Sequence, residues 1–184
     1  MRGNRRRLRA QAHEATALTL PGLESSDADR SVVRLADHVQ AIITTVEQAG
    51  RPVVLVVDSG AGGPAHEVVD RVHDAITAMV YVDTGAATGP LDPDLEGAEL
   101  PLPPPDELAA EKNLEGLTPA HLVRFRAQAV PQPAATVRQG PSLRGTARLD
   151  VPRRWCAPGS PRRPTAPQWR RASPSSPAWP TSTT

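Results

Sequence analysis

Acidic residues stop at Asp150, aromatics are scarce and cysteine occurs once in this 184-residue chain. The single cysteine, Cys156, excludes an internal disulfide framework and fits a reducing compartment, so the cytoplasm is the expected location. No apolar run is long enough to span a bilayer, which predicts no membrane partner. The Arg-rich start, "MRGNRRRLRAQAHEA", lacks the apolar stretch that follows the basic region of an export signal. With 3% aromatic and 39% hydrophobic residues, part of the length is not expected to fold. Six arginines follow Asp150, so a net charge of +1 less those six leaves −5 on residues 1–150. An acidic body carries a basic tail.

What is present is an alternation of buried runs and amphipathic helices. "EATALTL" (Glu14–Leu20) alternates and ends at Pro21-Gly22, which predicts a strand closed by a turn. Val32, Leu35, Val39, Ile42, Ile43 and Val46 recur at helical spacing, with Ser31 as cap and Gly50 as stop, predicting a helix over 31–49. "RPVVLVV" (Arg51–Val57) is apolar without alternation, as expected of a strand buried on both faces of a parallel sheet. A helix over 63–74 follows, with Pro64 in its first turn and Ala65, Val68, Val69 and Val72 facing inward. "AITAMVYVD" (Ala75–Asp83) is a further buried strand. This order predicts an α/β fold: an open parallel sheet of at least three strands with flanking helices.

From Thr84 to about Arg138 a Pro-rich excursion and two short helix candidates, "PDELAAEKNL" and "TPAHLVRFRAQAV", suggest a helical lid. Residues 1–138 then form the domain. Residues 139–184 are expected to be a disordered Pro/Arg/Ser-rich tail, of the composition that a GC-rich coding region gives when read out of frame. Arginines spread among prolines define no groove-entering element, which argues against a nucleic-acid partner.

The chemistry concentrates in "VVLVVDSGAGGPAHEVV". A serine between strand and helix is the setting of a nucleophile elbow, where the hydroxyl stands clear of the sheet and the next N–H points at a developing oxyanion. Ser59 is the candidate nucleophile and Gly60 the oxyanion donor. The chain resembles the α/β-hydrolase superfamily, specifically its small esterase-like members with a lid after the sixth strand. The resemblance rests on "ATALTLPGLESS", "RLADHVQAIITTVEQAG", "PVVLVVDSGAGGPAHEVVDRV", "AMVYVDTGA" and "LTPAHLVRFRAQAVPQP". It implies acyl hydrolysis of a small ester with neither metal nor organic cofactor. Those members read Gly-His-Ser-Gly-Ala-Gly at the elbow, so Val57-Asp58 is a departure that is expected to lower activity.

The resemblance also asks for an acid and then a histidine after the serine. Asp83 is a possible acid, one strand earlier than usual, or else a turn-capping residue. Only His121 follows Asp83, and it falls in the lid; His13, His38, His66 and His73 read as helix-surface or strand-entrance residues. The family's histidine after the last strand and its His-Gly oxyanion loop, expected before Arg7, have no counterpart here, so weak or no activity is expected. Two other readings stand beside the hydrolase. Gly60-Ala61-Gly62-Gly63-Pro64-Ala65 fits Gly-x-Gly-x-x-Ala with Asp83 placed to hold a ribose, a dinucleotide site. The chain is alternatively a non-catalytic, truncated interaction module.

Overall fold

The computed structural model describes residues 2–111, 114 and 116–156. The expected helix forms as α2 (Leu35–Gln48), starting later than Ser31 because Asp29 folds back on the Ser31 amide and hydroxyl at 3.0 and 2.6 Å. The Asp37 carboxylate accepts from the Arg34 amide at 2.7 Å, and the Gln139 side chain accepts from the Leu35 amide at 2.9 Å. Together they occupy donors that a helix start leaves unpaired. Gly50, at φ +63°, ends the helix in the left-handed conformation that glycine adopts without strain.

The parallel unit follows as β1 (Val53–Asp58), a tight turn over Ser59–Ala61, α3 (Gly62–Val72) and β2 (Ile76–Val82). The third strand is the first surprise. It is Arg153–Cys156, pairing in parallel with β2 from Met79↔Arg153 to Val82↔Cys156. The expected strand Glu14–Leu20 forms no ladder. Alternation alone makes no strand where no neighbour supplies the hydrogen bonds. Residues 2–10, left unassigned by the sequence, form a helix, α1 (Arg2–Ala10).

Packing therefore does not end near Arg138. The 139–151 segment is latched onto α3. Glu67 accepts from the Ser142 amide at 2.8 Å, Asp70 from the Arg144 and Gly145 amides at 2.7 and 3.1 Å, and Arg148 bonds Asp70 at 3.0 Å. Val151 joins the core with Val39, Ile42, Ile43 and Val46 of α2, Ala65, Val68 and Val69 of α3, and Val57, Met79 and Tyr81 of the sheet. Trp155 stacks on Tyr81 with ring centres 5.7 Å apart. The tail that lies outside the described residues is 157–184.

The sheet is buried on one face. Residues paired in a parallel ladder point the same way, so Val57, Met79 and Tyr81 enter the core while Val54 and Val56 point away and are 55% and 59% exposed. Burial on both faces, expected of "RPVVLVV", is not realised among the described residues.

Between the second and third sheet strands lies an inserted segment. It holds β3 (Glu99–Leu100), α4 (Pro105–Glu111), α5 (Pro119–Gln128), β4 (Gln132–Pro133) antiparallel to β3, and α6 (Ala134–Arg138). The third strand of the parallel sheet is β5 (Arg153–Cys156). Buried Arg30 fastens the base of this segment, donating to the carbonyls of Pro131, Ser26, Ala28 and Ser25 and to Glu99.

Candidate active site

Parallel strands collect their C-terminal ends at one edge, and here that edge carries Asp58, Ser59 and Asp83. Ser59 is exposed and has φ +48°, the left-handed region that costs a non-glycine residue about 1–2 kcal/mol. Two contacts hold it there. The Thr84 hydroxyl donates to the Ser59 carbonyl at 2.7 Å, and the Gly62 amide donates to the same carbonyl. Gly62 is obligatory, because a Cβ there would lie 2.5 Å from the Gly85 carbonyl oxygen and 2.6 Å from Thr84 Oγ1. The second glycine of the Gly-x-Gly pattern thus admits the protein's own backbone, the approach that a pyrophosphate would need in a dinucleotide site. Gly60, next to Ser59, has open space around its Cα, with nothing within 4 Å of a built Cβ. The start of α3 adds its partial positive charge on the same side.

The electrostatics oppose an anion. Burial, and then the charge of Asp83, push the Asp58 carboxyl above the usual carboxylate range. Asp83 lies just past β2 with φ +49°, its amide donating to the Cys156 carbonyl at 2.9 Å. Two carboxylates therefore flank the serine.

All five histidines lie among the described residues, and none is hydrogen-bonded to Ser59 or Asp83. His121 closes the start of α5, its Nδ1 accepting from the Thr118 amide at 3.3 Å. His38 and His66 are not surface residues, as the sequence suggests; both are buried. His38 Nε2 donates to the Pro21 carbonyl at 2.9 Å. His66 Nδ1 lies 2.8 Å from the Ala87 carbonyl, while its Nε2 accepts from Arg148 Nε at 3.3 Å, which fixes the neutral tautomer. Burial pushes both imidazoles below the ordinary histidine range. His73 contacts Asp74 at 3.3 Å, and His13 lines an exposed depression of about 480 Å³ near the N-terminus. A second depression, about 360 Å³, sits at the opposite end of β1 from Ser59, lined by Arg51 and Pro52.

Sequence reasoning missed Thr84, Arg30 and the Asp70–Arg148 latch. Thr84 follows Asp83 directly, so a hydroxyl just beyond a strand end was its only signal. The others join residues 69 to 101 positions apart, which no local pattern displays.

No family model matches the sequence, and no curated protein matches it. Solved structures do. An extracellular α/β-hydrolase from a Paenibacillus species, described as sharing structural and functional homology with tobacco salicylic acid binding protein 2, superposes with a TM-score of 0.68 at 16% identity, over 83% of this chain and 69% of that one. The Arabidopsis methylesterase MES16 gives 0.65 at 18% identity, over 82% and 68%. A pyrethroid hydrolase from Sphingobium faniae JZ-2 gives 0.57 at 17% identity, over 82% and 69%. The fold is α/β-hydrolase-like. At these identities the likeness is one of fold, and about a third of each α/β-hydrolase neighbour has no counterpart here.

Proposed function

We propose that the chain is a serine-hydrolase-type protein directed at small esters, with Ser59 as nucleophile and the Gly60 N–H as one oxyanion donor. The observation that carries this is the Ser59 backbone. A non-glycine residue held at φ +48° between a parallel strand and a helix is strain of the kind that functional corners retain. The esterase-like neighbours support the substrate class, and the single exposed Cys156 fits the cytoplasm.

In the proposed step Ser59 Oγ bonds to the acyl carbon, the alkoxide leaves with the electron pair of the broken C–O bond, and the serine proton passes to solvent. Water then hydrolyses the acyl-serine. Asp83 is the candidate acid, but no imidazole links it to Ser59. The missing general base and a second oxyanion donor each typically contribute about a hundredfold or more. Turnover of p-nitrophenyl acetate is therefore expected to be weak. Fluorophosphonate labelling tests the nucleophile: the probe should label the wild-type chain and spare Ser59→Ala. Equal labelling of both removes Ser59 from the reading.

A further inference from the structure

Among the described residues, β1 is paired on one side only, with β2 in the order β1-β2-β5. Its other edge runs Val53–Val57 with no lysine, proline or inward charge, the devices that keep natural edge strands from pairing with other chains. The one irregularity of its ladder lies at its start, between Val53 and Val54.

The edge is also self-complementary. Val53-Val54-Leu55-Val56-Val57 reads the same in both directions. Antiparallel pairing about Leu55 sets Leu55 against Leu55 of another copy, Val54 against its Val56, and Val53 against its Val57. Paired residues share a face, so the two exposed valines of each copy come side by side on the bare face of the sheet. Charge completes the match. Arg51 stands just before the strand and is 60% exposed; Asp58 ends it, beside Asp83. Antiparallel pairing brings the Arg51 end of each copy to the Asp58 end of the other, twice. The existing Arg51–Glu14 pair is solvent-exposed on both sides and holds Arg51 weakly.

We propose that β1 pairs edge to edge, antiparallel about Leu55, with β1 of a second copy of this chain, joining two three-stranded sheets across a two-fold axis. This does not depend on the chemistry of Ser59, although the second copy's Arg51 end would arrive beside that serine.

Sedimentation equilibrium of the 184-residue chain, from low to high micromolar, tests it. A reversible monomer–dimer equilibrium is expected. The Val54→Lys/Val56→Lys double variant changes side chains that face solvent in the single chain; it should sediment as monomer with an unchanged far-UV circular dichroism spectrum. Arg51→Glu alone and Asp58→Arg alone should each weaken dimerisation about tenfold or more, because each places like charges together at both ends. An equimolar mixture of the two should dimerise again, since each contact in the mixed dimer is then complementary. Should the lysine variant lose its fold, the mixing experiment decides alone. A monomer at every concentration overturns the proposal and leaves the edge to a different polypeptide. So does a dimer that ignores the charge reversals, or a mixture that stays monomeric.

Discussion

The two flanks of the β1–α3 unit are finished to different degrees. On the α3 flank, Glu67, Asp70 and His66 are buried and each accepts or donates a hydrogen bond to a segment about twenty to eighty residues away along the chain. On the β1 flank, Val54 and Val56 face solvent and the described residues supply no second ladder. Both flanks belong to one short stretch, Val53–Val72, and the helix sequence carries acids where a latch needs acceptors. The strand carries only apolar residues where a partner is needed. A carboxylate on a helix is satisfied by any loop amide that reaches it; a strand edge is satisfied only by another strand. The finished flank is expected to set stability, and the open flank association and reactivity.

Breaking the latch should have the largest effect. The Asp70 side chain is 2% exposed and accepts from two amides and Arg148. Asp70→Ala takes the charged acceptor from a partly buried guanidinium and two amides, and about 3 kcal/mol of stability should be lost in urea unfolding. A loss below 0.5 kcal/mol, taken as roughly the scale of a surface substitution, would mean that the latch is ornamental. Burial opposes the charge of Asp70, but the Arg144 amide, Arg148 and the Gly145 amide outweigh it and hold the carboxyl below its usual range. A depressed carboxyl stabilises the fold above its unfolded value, about 3.9, and that contribution should disappear as pH falls through the folded value.

Next comes Gly62→Ala. The new methyl meets the Gly85 carbonyl oxygen, which is backbone and cannot turn aside, so about 2 kcal/mol should be lost by overpacking. The same variant should free Thr84 from Ser59 and change fluorophosphonate labelling. Thr84→Val separates the two effects, since it removes the hydrogen bond and keeps the volume.

The buried imidazoles give a smaller, pH-dependent signature. Their folded values lie below the ordinary 6.5, so between those limits the unfolded chain binds protons that the folded chain does not. Stability is therefore fully present above about pH 6.5 and falls with decreasing pH, by up to about 1.4 kcal/mol per unit for each histidine. Urea unfolding at pH 7 and pH 5 should show the decline, and His38→Gln or His66→Gln should flatten it. An unchanged slope in both variants would assign the decline to other groups.

How much of this was legible depends on range. Periodicity located α2, α3, β1 and β2, because the apolar spacing of Val39, Ile42, Ile43 and Val46 is a local property. The corner was legible too, since Asp58-Ser59-Gly60 joins a β-branched run to a helix. Arg153–Cys156 was not. Two arginines at its start and an exposed Trp155 hide a strand that is defined by pairing with β2 rather than by its own apolar content. Glu14–Leu20 erred the other way, carrying a strand pattern without a neighbour. Long-range pairing decides both cases, and a single sequence does not display it.

The smallest expected effect bears most directly on the site. If φ +48° at Ser59 is strain, then Ser59→Gly should relieve about 1–2 kcal/mol of backbone cost, because glycine adopts that conformation freely. Part of the gain is offset by the larger entropy that glycine loses on folding, about 0.5–1 kcal/mol. The net is a stabilisation of about 0.5–1 kcal/mol. Ser59→Ala removes the same hydroxyl but keeps the Cβ, so it should be near neutral, and the difference between the two variants isolates the backbone term. Both should fail to label with fluorophosphonate. The pairing of a small gain in stability with a complete loss of labelling would separate a strained, reactive corner from an ordinary turn serine. A Ser59→Gly variant less stable than Ser59→Ala would show instead that the left-handed conformation costs the serine nothing.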